Sequence, residues 1–256
     1  MGQGREQNLM THTATDTNRQ VRRDFHSHIL PKIDDGAETS DVSAEMLLSL
    51  GRQGVETVCL TPHYSYHREP LDHFLARRQV SYERLRERIS QRQITKEIPE
   101  IRLGAEVCIE PDLIEEKRIR ELCYTGTHAL LLEFPFCRLE SRVYETVENL
   151  ALKYKICPVI AHLDRYRELF GRDEIERILN IPNVVVQVNA EALEGVFNRR
   201  FALSLLEQRV PLVLGSDAHN MDSRPPHIEK AYTVVDAKLK DPERERFYRT
   251  ASCLMA

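Results

Sequence analysis

Short aliphatic runs alternate with amphipathic stretches from residue 23 onward. The runs 23–28, 55–61, 101–108, 128–134, 156–161, 183–189 and 210–216 read as strands. Val184-Val185-Val186-Gln187-Val188 and Pro211-Leu212-Val213-Leu214 are short and β-branched or aliphatic, as strands buried on both faces are. Between the runs, apolar residues recur at helical spacing. Over 142–154, Val143, Val147, Leu150, Ala151 and Tyr154 share one stripe, with Glu145, Glu148 and Lys153 off it. Segments 41–53, 71–93, 173–180 and 199–208 follow the same pattern. Strand–helix alternation repeated about seven times predicts a parallel α/β fold, open or closed into a barrel.

A length of 256 residues suits one barrel-sized domain, and no Gly/Ser linker interrupts 23–250. Residues 23–256 are therefore expected to form one domain, with 1–22 as a flexible tail that lacks the apolar centre of a secretory signal. A net charge of −4 gives no global electrostatic case for nucleic acid, and no run of 18 apolar residues exists to insert in a membrane. None of the 6 cysteines forms a C-x-x-C pair; flanked as in Val58-Cys59-Leu60, they read as reduced core thiols of a cytoplasmic protein. Arg77, Arg78, Arg84, Arg86, Arg88 and Arg92, set against Glu83 and Glu87, offer either a docking face for an acidic or phosphorylated partner or, more plainly, a solvated helix face.

The chemistry-bearing residues fall at strand ends. In Asp24-Phe25-His26-Ser27-His28, positions i and i+2 of a strand share a face, which turns His26 and His28 together and Phe25 toward the helices. The second strand ends in Thr61-Pro62-His63, the third near Gly104-Ala105-Glu106, the fourth in Leu132-Glu133-Phe134-Pro135 and the fifth in Ile160-Ala161-His162. The seventh ends in Gly215-Ser216-Asp217-Ala218-His219, and Asp34-Asp35-Gly36 follows the first.

Each such residue alone is ordinary. Carboxylates ending several hydrophobic strands beside imidazoles would be costly to desolvate unless paired or metal-bound. Five imidazoles and four carboxylates without a thiolate suit Mn, Fe, Zn or Co, and nine candidate ligands fit three ions if one carboxylate bridges. A cluster of that kind lowers the pKa of a bridging water and clamps phosphoryl oxygens. Arg165, three residues past His162, and Arg224, in the loop after His219, carry the planar fork that suits phosphate.

Taken in order, His26-Ser27-His28-Ile29-Leu30, Asp34-Asp35-Gly36, Thr61-Pro62-His63, Gly104-Ala105-Glu106, Leu132-Glu133-Phe134-Pro135-Phe136, Ala161-His162 with Arg165-Tyr166, and Ser216-Asp217-Ala218-His219-Asn220 with Arg224 and His227 form one pattern. It resembles the polymerase and histidinol phosphatase (PHP) superfamily, and within it the bacterial manganese-dependent protein-tyrosine phosphatases of capsule and exopolysaccharide clusters. The resemblance covers roughly residues 23–238. It implies a distorted (β/α)7 barrel with its active site at the C-terminal strand ends and three divalent metal ions, manganese first. It also implies His26, His28, Asp35, His63, Glu106, Glu133, His162, Asp217 and His219 as ligands, and Arg165 and Arg224 as phosphate-binding groups. The implied substrate is the phosphotyrosine tail of a bacterial tyrosine autokinase that controls polysaccharide export. Two departures bear on substrate preference: the family's usual His-Pro-Glu-Arg is here His162-Leu163-Asp164-Arg165, and Tyr64 follows His63 where a second histidine is common.

A phenolate leaving group needs little acid assistance, and Asp35 or a nearby histidine is the candidate to give it. No cysteine begins a Cys-x5-Arg motif, and Walker A and G-x-S-x-G motifs are missing, which excludes those chemistries. Alternatives are a PHP phosphoesterase acting on a small metabolite such as histidinol phosphate, and a non-catalytic metal-binding regulatory module. A nuclease lacks a basic face here. Oligomeric state, a homo-oligomer included, stays open.

Overall fold

β-Branched and aliphatic runs resolve into parallel strands, and the computed structural model describes residues 20–137 and 140–256. The strands are β1 (Arg22–Asp24), β2 (Val55–Leu60), β3 (His63–Tyr64), β4 (Glu100–Leu103), β5 (Glu106–Cys108), β6 (Ala129–Glu133), β7 (Cys157–Ile160), β8 (Val185–Asn189) and β9 (Leu212–Gly215). They order as β1-β2-β4 and β3-β5-β6-β7-β8-β9, every pair parallel.

The count exceeds the expected seven because two runs are interrupted. Pro62 has no N–H to continue a ladder, yet its carbonyl accepts from Glu106 N at 3.0 Å, and Gly104 N donates to Leu60 O at 2.9 Å. The register thus passes from β2 and β4 into β3 and β5. Three main-chain bonds tie the first and last strands: Phe25 N to Leu214 O (3.1 Å), Asp217 N to His26 O (2.8 Å) and His28 N to Ala218 O (2.8 Å). The α/β architecture agrees with the expectation.

The helices are α1 (Ser40–Arg52), α2 (Leu71–Arg92), α3 (Ser141–Lys153), α4 (Leu163–Tyr166), α5 (Arg172–Leu179), α6 (Val196–Glu207), α7 (Glu229–Lys238) and α8 (Asp241–Cys253). Thr39 caps α1, its hydroxyl accepting from Val42 N at 3.2 Å. Helices α7 and α8 were not expected. Charged residues dominate 241–253, but Phe247, Tyr248 and Ala251 still bury one face, so tertiary packing outweighs composition there.

Alternation along the strands sorts the core into two clusters. Leu130, Leu132, Val186, Val188, Leu212 and Leu214 pack outward with helix residues such as Leu47, Leu50 and Leu150. Cys59, Ala129, Leu131, Val159, Val185 and Val213 pack with Ala251 and Leu254 at the chain's end. Phe25 belongs to this second cluster, edge-on to Tyr124 at 6.1 Å, rather than among the helices as its strand position predicted. The strand is broken there: β1 stops at Asp24, whose Oδ1 accepts from His26 N at 3.2 Å and from Ser216 N at 2.8 Å. The kink lifts the alternation that would have placed Phe25 and His26 on opposite faces.

The arginines of α2 are largely spent within the fold. Arg77 bonds Glu69 and Ile33 O, Arg78 bonds Gly104 O and Glu121 O, Arg88 pairs with Asp41, Arg92 pairs with Glu45, and Arg86 lies over Tyr82. That favours the solvated-face reading over a docking face. The tail expected over 1–22 lies outside the described residues as far as 19, and β1 begins inside its last position. No helix among the described residues is long and apolar enough to cross a membrane.

All six cysteines are free, but not all are core thiols: Cys137 and Cys253 are exposed. Burial pushes the Cys123 thiol up to about 12 and Cys157 up to about 11. Maleimide labelling of the native protein near pH 7.5 is expected to modify Cys137 and Cys253 and to spare Cys59 and Cys123, read by peptide mass mapping. Equal labelling of Cys59 would contradict the packing described.

Candidate metal centre

The strand ends bring every one of the nine expected ligand residues into one nest. Glu106, opening β5 and 1% exposed, sits at its middle. Its Oε2 lies 3.2 Å from His26 Nε2, 3.3 Å from His28 Nε2 and 3.0 Å from His63 Nδ1, while Oε1 lies 3.0 Å from His162 Nε2. His162 Nε2 is also 3.4 Å from Glu133 Oε1. On the open side, Asp35 Oδ1 reaches His63 Nε2 at 3.3 Å and His219 Nε2 at 3.5 Å. Asp217 Oδ1 is 3.6 Å from both His26 and His28 Nε2. Three overlapping sets have ligand atoms within 4.8 Å of one another: His28, Asp35, His63, His219; His26, His28, Asp217; and His63, Glu106, Glu133.

The far nitrogens decide what these rings present. His28 Nδ1 donates to Asp34 Oδ2 at 2.8 Å, and His219 Nδ1 donates to the carbonyl of Asp217 at 2.9 Å. His26 Nδ1 faces Gln187 Oε1 at 3.0 Å. That amide's orientation is set by the backbone, since the same oxygen accepts from His162 N at 2.6 Å. With Nδ1 donating in each case, all three rings turn Nε2, the nitrogen left to take a cation, into the nest. His26 Nε2 and His28 Nε2 are only 3.1 Å apart. Burial opposes protonation of His28, but Asp34 and Glu106 hold its imidazole well above the ordinary range, so a shared proton keeps the two nitrogens together where a cation would otherwise sit. His219 Nε2 is buried with no hydrogen-bond partner among the described residues, an unmet demand that a cation would satisfy. The donor set fits divalent cations held by nitrogen and oxygen.

The buried carboxylates are ionised. Burial opposes this at Glu106, but the imidazoles of His26, His162 and His28 hold its carboxyl well below the usual range. Burial likewise opposes ionisation of Asp217, and His26, His28 and Arg165 overcome it. Burial is outweighed at Asp34 too, where His28 draws the carboxyl down to about 2. The nest therefore concentrates negative charge where water is scarce.

Several residues around the nest escaped the sequence reading. Asp34 orients His28 and accepts from His63 N at 3.1 Å, leaving Asp35 to face the nest. Gln187 donates to Asn189 Oδ1 at 2.9 Å, and Asn189 Nδ2 donates to Asp217 Oδ2 at 3.0 Å, so one amide chain sets His26, His162 and Asp217 together. Their signal was in the sequence: two amides at i and i+2 in the aliphatic run 184–189. Asp24, pushed up to about 6 by burial, accepts the Ser216 hydroxyl at 2.6 Å and the amides noted above.

The two family departures are absorbed structurally. Asp164 is buried and accepts from Asn189 N at 2.9 Å, clasping the end of β8. Tyr64 packs on Phe74, ring centroids 4.9 Å apart, in the outer core.

Close backbone approach explains one glycine. A Cβ on Gly215 would lie 2.5 Å from the His26 Cβ and 2.7 Å from Gln187 Nε2. Gly215→Ala is expected to cost at least about 1–3 kcal/mol of stability. It should also lower metal content by displacing His26, measured by denaturant melts and elemental analysis. An unchanged midpoint and full metal content would contradict this contact.

The arginines stand on the rim. Arg165 Nη2 is 2.7 Å from Asp217 Oδ2 and Arg224 Nη2 is 2.8 Å from Asp217 Oδ1, each arginine side chain about one-third exposed. They line a cavity of about 240 Å³ with Asn189, Ser216 and His227. Cys108 lines the neighbouring cavity, but burial, Glu110 and Glu133 push its thiol up to about 11, which leaves no thiolate near neutral pH.

A nest of imidazole nitrogens and carboxylates with guanidiniums at its edge is the kind of centre that metal-dependent phosphoesterases carry. The chain belongs to the capsular polysaccharide synthesis CpsB/CapC family, whose model matches residues 22–255. It is 32% identical over 229 residues to the tyrosine-protein phosphatase YwqE of Bacillus subtilis, covering 84% of each chain. It is 29% identical over 232 residues to the tyrosine-protein phosphatase CpsB of Streptococcus pneumoniae, covering 84% of this chain and 90% of that one. A solved chain from the crystal structures of YwqE and CpsB, described as metal-dependent tyrosine phosphatases, matches with a TM-score of 0.76 at 28% identity, over 91% of this chain and 94% of that one.

Proposed function

We propose that this chain is a metal-dependent protein-tyrosine phosphatase, with residues 23–256 as the catalytic domain. Its substrates are phosphotyrosines on the tail of a bacterial tyrosine autokinase governing polysaccharide synthesis, met in the cytoplasm. The observation that carries the reading is the shared position of Asp217: its Oδ1 faces His26 and His28 and also takes Arg224, while its Oδ2 takes Arg165. Cation binding and anion recognition are thus one side chain apart, the layout phosphoryl hydrolysis requires. The names of the relatives supply the phosphotyrosine.

His26, His28, Asp35, His63, Glu106, Glu133, His162, Asp217 and His219 would hold three divalent ions, with Mn ahead of Fe, Zn and Co. When bound, such ions supply a water acidic enough to react near neutral pH and offset charge on phosphoryl oxygens. The remaining work falls to side chains. Arg165 and Arg224 turn from Asp217 to the phosphoryl oxygens and fix its orientation. Asp34 and Gln187 keep the His28 and His26 protons on Nδ1 throughout turnover. Asp35, with a side chain 64% exposed, is the most open carboxylate of the nest and the group placed to exchange a proton with the departing phenol.

Steady-state hydrolysis of a phosphotyrosyl peptide with added Mn, run beside a chelated control and a panel of small phosphate metabolites, tests the reading. The expected result is chelator-sensitive turnover that prefers the peptide. A metal-loaded sample that hydrolyses a metabolite such as histidinol phosphate orders of magnitude faster would replace the substrate and keep the centre.

A further inference from the structure

The strand-end motif Glu133-Phe134-Pro135-Phe136 is only partly explained by the centre. Glu133 enters the nest and Phe134 is fully buried against Tyr144, Tyr166 and Phe170. Phe136 does neither. It is 52% exposed, and its ring lies stacked over His162, with centroids 5.7 Å apart and planes 26° from parallel. It also meets Tyr166 at 5.2 Å.

A large aromatic ring held half in water contributes little to the core that holds it. One part of Phe136 covers His162, whose Nε2 faces Glu106 and Glu133, so the ring is one side chain removed from the centre. The exposed remainder is apolar surface beside one residue of an otherwise charged site. Arg165 follows His162 by one helical turn on α4 and reaches Asp217. Arg165 and Phe136 are thus tied to the same short segment, Arg165 by its place on α4 and Phe136 by its contacts with His162 and Tyr166.

We infer that Phe136 is a specificity-determining residue whose exposed face stacks on the phenyl ring of the phosphotyrosyl group, so that the centre prefers aryl to alkyl phosphates. The inference rests on the phosphotyrosine reading above. Aromatic pairs favour offset or edge-on contacts with centroids about 4.5–7 Å apart, and a ring already fixed by His162 and Tyr166 loses little freedom on forming one more such contact. An aliphatic ester offers no ring to receive it.

The test is calorimetric binding of phenylphosphonate and methylphosphonate, which share a non-hydrolysable head group, to the metal-loaded protein. Wild type is expected to prefer the phenyl ligand by about tenfold, or about 1.4 kcal/mol. In Phe136→Leu and Phe136→Ala the preference should fall to within about twofold at unchanged metal content, and Phe136→Tyr should restore it. Equal weakening of both ligands would mean that Phe136 acts by positioning His162, and it overturns the inference. So does a wild-type preference that survives Phe136→Ala, or a wild type with no preference at all. A Phe136-dependent preference in a protein that fails to turn over phosphotyrosyl peptide would keep aryl recognition and sink the phosphotyrosine reading instead.

Discussion

Glu106→Gln is expected to reduce turnover of a phosphotyrosyl peptide by about a thousandfold or more while leaving the fold intact. The substitution is nearly isosteric, so packing around β5 survives. What it removes is the charge at the middle of the nest, where two oxygens are shared among His26, His28, His63 and His162. One oxygen becomes an NH₂ group, which turns hydrogens toward nitrogens that must stay free to bind cations. At full burial that charge is poorly screened, and its loss weakens every cation in the nest together. The measurement is kcat and bound metal per chain, with circular dichroism as the control for folding. Retained metal and near wild-type kcat would remove Glu106 from the centre. Loss of helical signal would mean that the variant reports on folding and not on catalysis.

Chelation is expected to lower the melting temperature by roughly 10 °C, and manganese should restore it. The sign follows from the nest itself. Without cations, ionised Glu106 and Asp217 have only the imidazoles and arginines as counter-charges, and the His26 and His28 Nε2 atoms stand 3.1 Å apart. The unfolded chain assembles no such site. Cations bind the folded form selectively, and a site held at a thousandfold above its dissociation constant adds about 4 kcal/mol. For a domain near this size, each kcal/mol moves the midpoint about 2–4 °C. Scanning calorimetry of the purified protein with manganese, with chelator and after re-addition reads the shift directly. A midpoint unmoved within a degree would mean that the nest binds no cation with useful affinity. A Glu106→Gln variant should show a much smaller manganese-dependent gain, which ties the two predictions to one cause.

How far the molecule was legible in its sequence differs from part to part. Strands built on runs such as 128–134 and 183–189 emerged within a residue or two, because a buried parallel strand needs only local aliphatic content. Helices α1, α2, α3, α5 and α6 carried readable apolar stripes. Helix α8 did not, since its arginines and glutamates mask the few side chains it buries, and only contact with the rest of the fold makes it a helix worth forming. Phe25 was misplaced for a related reason: alternation assumes an unbroken strand, and the break at Asp24 depends on Ser216, far along the chain.

The candidate site divides in the same way. Side-chain type and strand-end position are local properties, and they pointed to eight residues of the nest and the two rim arginines, whereas Asp35 was singled out from Asp34 only by the family resemblance. Which nitrogen of each ring carries its proton is not local. It is set by Gln187 for His26 and by the Asp217 carbonyl for His219, partners distant in sequence or defined only by a turn with left-handed backbone at Asp217. The division of labour between Asp34 and Asp35, one orienting His28 and the other facing the nest, is likewise invisible in two adjacent identical letters. The sequence by itself determined which chemical groups stand at the strand ends, because periodicity and residue type are written locally. The tertiary structure alone decided their tautomers, their spacing and the exposed ring over His162, because each depends on a contact made across the fold.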